Sequence, residues 1–484
     1  MHPAKRSIMH PPRLLLTSVT FALLSAAASS AATLYRGATI LPLTAGHDAP
    51  ISPGYLLVSD AGLIAALGPG DGATDPAVAQ ARTAPGFTAV EMAGKILMPG
   101  FVSGHSHLWQ SAFRGITPSS ELPAWLQGLH YTYGAFFGPG DFAAFTLHGA
   151  YDQLRHGVTT TYNHSHFFPG GDFPRYREQF DAELTTPQRF VFSWVNDAKA
   201  DDATWRARLA PVLKQVAPQA DRPLLGLSIN AVGIHAAPDI LAREITLAKE
   251  LGLTVQAHYL EPAVSQIADR AAWATFKSAG AVFSGMSFAH FIHPDDAILR
   301  DAATAGAAMI WNPLSNGRLG SGLAQIETYL AAGLRVGMGV DGQASADISD
   351  PFENVRLGLY ALRIRRENAG GLQPVDMLRL HTLKTAEILG VQRWVGSLEV
   401  GKFADFLVVD PAEPSTGPVW DVAATLVFAC SSRNVSAVYI GGKKVVETGR
   451  VLGHDAPALE ADVAARIAAL RTRQSAAPKT STRD

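Results

Sequence analysis

Two hydrophobic rhythms run along the chain. Over residues 33–98 the apolar positions come in short runs, TLYRGATILPL, YLLVSDAGLIAALG and FTAVEMAGKILMPG, punctuated by Gly and Pro. Runs of that length between turn residues predict short strands of a small β unit. From His105 onward, short apolar runs alternate with longer stretches of helical period. The predicted strands are Gly157–Tyr162, Phe190–Val195, Leu224–Val232, Leu253–Leu260, Met286–Ile292, Ala307–Asn312 and Arg335–Val340. With the opening run Ile96–Val102 they make eight. Between them, Pro238–Leu251 places Ile240, Leu241, Ile245, Ala248 and Leu251 on one helical face. Residues 295–305 and 323–332 follow the same rhythm.

Eight β runs alternating with helices over about 240 residues predict an α/β fold, a (β/α)8 TIM barrel. A doubly wound open sheet is the main rival, but no Gly-x-Gly-x-x-Gly opens a helix after a strand. After the barrel, Val375–Leu389 reads as one helix stopped by Gly390. Residues 395–455 return to strand and turn, and are expected to complete a composite β-sandwich begun by 33–98. The tail reads as a polar-faced helix over Ala456–Leu470 and as disorder from Arg471 to Asp484. The expected division is therefore a signal peptide (1–32), the amino-terminal portion of the β-sandwich (33–98), the barrel (99–394), the carboxyl-terminal portion of the β-sandwich (395–455), and a helix with its tail (456–484).

The amino-terminal segment reads differently from the rest. Lys5, Arg6 and Arg13 precede an uncharged stretch with LLLTSVTFALL at its centre, followed by SAAASSAA ending at Ala32. A positive start, an apolar middle and small residues at the end make a signal peptide, with cleavage expected near Ala28 or Ala32. An apolar core of about 11 residues is too short to span a bilayer, so export to the periplasm or medium is expected without stable membrane insertion. The 484 residues carry a net charge of −2 and 17% charged positions, with no basic stripe, which argues against a nucleic-acid partner. A homo-oligomer is compatible with this composition. Cys430 is the only cysteine, beside 16 histidines. An internal disulfide is excluded, and metal chemistry here falls to nitrogen and oxygen ligands.

Those ligands sit where a barrel needs them, at the carboxyl ends of strands. The first strand delivers His105 and His107, two residues apart and so on one face. The fifth ends in QAHYLEP, with His258 and Glu261; the sixth holds FAHFIHP, with His290 and His293. The eighth ends in GMGVDGQAS, with Asp341, a carboxylate that is hard to explain as core. His293, before Pro294 and Asp295, reads as a helix-start residue rather than a ligand. Trp109, Gln110 and Arg114 follow the first pair, and Asn163, His164 and His166 follow the second strand. Trp109 and Gln110 suit a flat polar ring, and suit a structural loop equally.

The segments GKILMPGFVSGHSH, QAHYLE, FAHFIH, NPLSNGRLGSG, GMGVDGQAS and VGSLEVGKFADFLVVD resemble, in order and spacing, the signatures of the amidohydrolase superfamily. The nearest group is similar to the cytosine-, guanine- and adenosine-type deaminases and the triazine chlorohydrolases. The resemblance covers residues 33–455 and implies a metal-dependent hydrolase of carbon–nitrogen bonds. It implies His105, His107, His258 and Asp341 as ligands of one divalent metal per chain, zinc, iron(II) or manganese. It further implies Glu261 as proton shuttle, His290 as the group steadying the attacking water, and Asp341 as acceptor of that water's proton. Two-metal members use a lysine at the end of the fourth strand; LLGLSINAVGIH has none, and His235 there is a candidate pocket residue with Trp109, Gln110 and His164. The expected activity is deamination of a small nitrogenous heterocycle. The alternatives are hydrolysis of a cyclic amide, dechlorination of a halogenated ring, or a periplasmic binding protein that keeps the barrel without turnover. The signal peptide departs from the group's usual cytoplasmic setting and puts its salvage substrates in doubt.

Overall fold

Strands covered on both faces are buried along their whole length, and those between Phe101 and Met338 are buried at nearly every position. In the computed structural model, which describes residues 32–46, 49–166, 173–231 and 238–477, they form one parallel sheet. The amino-terminal segment, apart from Ala32, and His235 lie outside the described residues. The first short strands are β1 (Thr33–Ile40), β2 (Ile51–Val58), β3 (Ile64–Pro69), β4 (Thr88–Glu91) and β5 (Ile96–Pro99). The barrel strands are β6 (Phe101–His107), β7 (Val158–His164), β8 (Arg189–Trp194), β9 (Leu224–Asn230), β10 (Thr254–Tyr259), β11 (Met286–His290) and β12 (Ala308–Trp311). The eighth run is split into β13 (Arg335–Met338) and β14 (Asp341–Gly342).

That split closes the barrel. β13 pairs with β12, while β14 pairs with β6 through Asp341 opposite Ser106 and Gly342 opposite His107. Gly339 sits at the break because a Cβ there would lie 2.8 Å from the backbone nitrogen of His105. Helices between the strands cover the outside, and Pro238–Leu251 has the predicted bounds. Asp296–Thr304 begins one residue later than expected, because Asp295 is its N-cap and accepts from the Ile298 amide. The helix expected over 323–332 is shorter, Ile326–Ala331.

The second sheet draws on both ends of the chain. It runs β18–β17–β16–β15–β5–β1–β2–β3, where β15 is Phe406–Val409, β16 Val435–Ile440, β17 Lys443–Glu447 and β18 Arg450–Val451. β5 joins the halves, parallel to β1 and antiparallel to β15. Leu97, Phe406 and Tyr439 centre its core, the last two stacked 4.5 Å apart.

Two expectations are corrected. Val375–Leu389 is not one helix but two, Pro374–Leu380 and Leu383–Leu389. The break lets His381 turn under β6, where its carbonyl accepts from the Val102 amide and its Nδ1 donates to the Val102 carbonyl (3.0 Å). The carboxyl-terminal helix does not stop at Leu470 but continues to Ala476. Arg473, in the stretch expected to be disordered, is held by Asp141 and the Phe136 carbonyl.

Candidate active site

Five side chains from four strand ends meet at the carboxyl mouth of the barrel. His105 and His107 end β6, His258 lies near the end of β10, His290 ends β11 and Asp341 opens β14. Glu261 follows β10 by two residues. The backbone turns sharply there: Leu260, His290, Phe291 and Asp341 all have positive φ, at 54°, 73°, 45° and 58°. Four non-glycine residues in the left-handed region at one rim are strain held in place by the surrounding fold. The ladder is kept through the turn, since the amides of Phe291 and Ile292 donate to the carbonyls of Tyr259 and Leu260.

Hydrogen bonds fix which imidazole atoms face the centre. His105 Nδ1 donates to Gln256 Oε1 (2.7 Å) and His107 Nδ1 to the His164 carbonyl (2.7 Å). Each Nε2 is therefore a bare lone pair, and these lie 3.4 and 3.5 Å from Asp341 Oδ1. His107 Nε2 also faces His258 Nε2 at 3.1 Å. Among the described residues, the buried Nε2 of His105 has no hydrogen-bond partner. Lone pairs and a carboxylate oxygen converging without a donor among them are stable only around a cation. Burial, and then the neighbouring His105, push His107 down to about 4, which keeps its ring neutral as ligation requires. Burial alone would raise the Asp341 carboxyl, but the surrounding imidazoles, His105 foremost, hold it well below the usual range. The donor set fits a divalent metal of the zinc or iron class, with His105, His107, His258 and Asp341 to hold it.

His290 is set up differently. Its Nδ1 accepts from Asn316 Nδ2 (2.8 Å), so Nε2 carries the hydrogen. That N–H faces Glu261 Oε2 at 3.6 Å and Asp341 Oδ2 at 3.8 Å. A nitrogen of His290 lies within 4.8 Å of those of His105 and His258, but it presents a donor rather than a lone pair. Burial, followed by the charge of Asp341, pushes the Glu261 carboxyl well above the ordinary carboxylate range. Two neighbouring carboxylates are thus driven apart, Asp341 towards the ionised form and Glu261 towards the protonated one.

A cavity of about 300 Å³ opens onto these groups. Gln110 is among the residues that line it. Trp109 does not: it is fully buried behind the wall, donating from Nε1 to His166 Nδ1 (3.4 Å) and packing on Phe137 and Phe142. His164 is also no pocket residue. It lies beneath the ligands, with Nδ1 3.1 Å from Gln256 Oε1 and its ring 4.5 Å from that of His258. His293 donates to the Ser321 carbonyl, Arg114 pairs with Asp152, and Asn163 donates to Glu183, all away from the cavity lining. The sequence pattern does not single out Trp125, His130 and Tyr131, which form the cavity's outer wall. Nor does it single out Gln256, whose Oε1 accepts from two imidazoles while its Nε2 donates to the Gly104 carbonyl (3.0 Å).

The comparisons agree with this geometry. Residues 96–445 match the sequence model of the amidohydrolase family. The chain belongs to the amidohydrolase family. It is a metal-dependent hydrolase acting on carbon–nitrogen bonds. This amidohydrolase is 28% identical over 412 residues to a 5-methylthioadenosine/S-adenosylhomocysteine deaminase of Natronomonas pharaonis, covering 83% of this chain and 93% of that one. It is 28% identical over 429 residues to the enzyme of the same name from Bacillus thuringiensis, covering 86% and 94%. A zinc-bound adenosine deaminase of Xanthomonas campestris superposes with a TM-score of 0.79 at 26% identity, covering 91% of this chain and 98% of that one. An atrazine chlorohydrolase of Arthrobacter aurescens, crystallised with zinc and atraton, shares the fold at TM-score 0.79 and 23% identity, over 90% and 100% of the two chains.

Proposed function

We propose that this amidohydrolase removes the ring amino group of a 6-aminopurine nucleoside or a closely similar heterocycle, releasing ammonia. The observation that carries the reading is Glu261, which lines the cavity beside Asp341 and the His290 N–H and whose carboxyl is pushed well above the ordinary range by burial and then by the Asp341 charge. Loss of ammonia from an amidine-like carbon needs a proton on the ring nitrogen and then on the leaving amine, whereas loss of chloride needs less acid assistance. The deaminases among the relatives support the same choice.

His105, His107, His258 and Asp341 would hold one divalent ion, zinc by analogy with the structural neighbours. When bound there, such an ion lowers the pKa of water from about 15.7 to around 7. Asp341, ionised, takes the proton of the attacking water. The His290 N–H hydrogen-bonds the oxygen as it adds to the ring carbon. Glu261 gives its proton to the adjacent ring nitrogen, and the proton collected from water passes to the amine as the C–N bond breaks. The balance is water plus amine in, carbonyl plus ammonia out. Trp125, His130 and Tyr131 line the same cavity.

Purified protein loaded with zinc and given 5′-methylthioadenosine or adenosine is expected to release ammonia. It should hold about one metal per chain, lost with the activity in His105→Ala. No ammonia from any aminated purine, or two metals per chain, would overturn the proposal. The layout of residues 1–32 supports action outside the cytoplasm, and an intact mass showing removal of the segment near Ala28 or Ala32 is the expected result. A full-length mass from the exported fraction would contradict it.

A further inference from the structure

The helix Ala456–Ala476 lies beyond the 96–445 stretch that matches the family, and the barrel closes without it. Yet its contacts are specific. Asp141, buried at the start of the helix Asp141–Arg155, receives two guanidinium groups from it: Arg466 Nη1 on Oδ1 at 3.1 Å and Arg473 Nη2 on Oδ2 at 2.6 Å. The same arginines donate to the carbonyls of Pro139 (3.2 Å) and Phe136 (2.7 Å). The loop Gly138–Pro139–Gly140 is shaped to admit them. A Cβ on Gly140, which has φ of 80°, would lie 3.0 Å from Arg466 Nη1, and one on Gly138 would lie 3.3 Å from Arg473 Cζ.

The apolar side of the helix makes the same connection. Val463 and Leu470 are buried in one cluster with Trp109, Trp125, Leu129 and Phe137. Trp125 is itself in the cavity wall, and Trp109 backs His166, another wall residue. A third link runs from Glu460 to His148 Nε2 (3.1 Å) and from His148 Nδ1 to Ser111 Oγ (2.9 Å), next to Gln110 in the cavity. Three independent contacts therefore tie one appended helix to the segment 108–141, which carries much of the substrate-facing wall.

We infer that the carboxyl-terminal helix is a clamp that holds the substrate-facing wall in shape, with Asp141, Arg466 and Arg473 as positioning residues for substrate binding. An arginine fork on a buried carboxylate fixes direction as well as distance, which a lysine does not. The wall has no long helix or strand of its own, being built of short helical turns at 108–113, 122–126, 127–131 and 134–136. Such segments open locally unless packing from outside holds them.

The test is amide hydrogen exchange on the full-length R466A/R473A variant beside the unaltered protein, with metal content measured on both. Peptides within 108–137 are expected to exchange about tenfold faster or more, while those from β10 and β11 do not change. The binding consequence rests on the deaminase reading. With 5′-methylthioadenosine as probe, KM should rise about tenfold with kcat within about threefold, and R466K/R473K should recover some of the loss. The inference is overturned if residues 456–476 open while 108–137 stay protected, or if every segment accelerates together. If the double variant fails to fold, D141N is read by the same criteria. Absence of turnover in the unaltered protein would sink the functional reading and leave the exchange comparison standing.

Discussion

Glu261→Gln is expected to lower kcat for ammonia release by about 10²–10⁴-fold, the span of general acid–base catalysis. Metal content should stay at its unaltered level, because Glu261 is not among the converging lone pairs of His105, His107 and Asp341. The substitution keeps the shape of the side chain and removes its ability to give and retake a proton. The environment shows why the effect is large: burial and the Asp341 charge push the Glu261 carboxyl well above the ordinary carboxylate range, towards keeping its proton. A carboxyl tuned in this way is effective as an acid near neutral pH, and a carboxamide in its place is not. Ligand affinity should survive, so substrate would still bind to the inactive variant, and equilibrium binding of 5′-methylthioadenosine measures this directly. Turnover within about tenfold of the unaltered protein would remove Glu261 from the proton path and favour a leaving group that needs no acid. The experiment also addresses the binding-protein alternative, since a protein that only binds has no turnover to lose.

The groups at the centre are legible in the sequence because each obeys a rule that operates locally. His105, His107, His258, His290 and Asp341 all stand at or near the end of an apolar run, and a parallel barrel brings such ends to one mouth. What the pattern does not encode is the path of the chain after a strand ends. β6 passes directly into a short helix at Leu108, which rotates Trp109 into the aromatic cluster and leaves Gln110 at the cavity. His164 reads as following its strand, but β7 continues through it and buries it under the ligands. Gln256 gives no signal, since one amide in an apolar strand is invisible until its two imidazole partners are in place. Trp125 and His130 lie in a long connection without period, and only the fold shows which of its residues turn inward. The break at His381 has neither Gly nor Pro to announce it; it is imposed from outside, by the Val102 backbone.

At the opposite end of the barrel, Asp405→Ala is expected to cost about 3–5 kcal/mol of stability, the usual result of orphaning one partner of a buried ion pair. Arg189, at the start of β8, meets Asp405 just before β15 with Nη2 and Oδ1 2.9 Å apart, and both side chains are almost fully buried. Arg189 Nε donates to Asp405 Oδ2 as well, the other hydrogen bonds of the guanidinium go to the carbonyls of Gln219, Ala220 and Arg222, and it lies 4.3 Å from the Phe403 ring centre. Asp405 in turn accepts from the Gly441 amide at 2.7 Å. The pair therefore ties the barrel to the sheet formed by the two ends of the chain. Removing the carboxylate leaves a charged, desolvated guanidinium with only carbonyl dipoles and the face of Phe403 around it. Arg189→Met alone should be comparably costly, because Asp405 would then be the stranded charge. The double variant Arg189→Met/Asp405→Leu should be less damaged than the sum of its singles, since no buried charge is left unpaired. Denaturant midpoints of the four proteins form the cycle that measures this coupling. Single variants within about 1 kcal/mol of the unaltered protein would show the pair to be solvated in practice. Because the pair lies at the amino-terminal end of the barrel strands, the folded fraction of each variant should retain its metal and its kcat. Stability and chemistry are then separable along the length of one barrel.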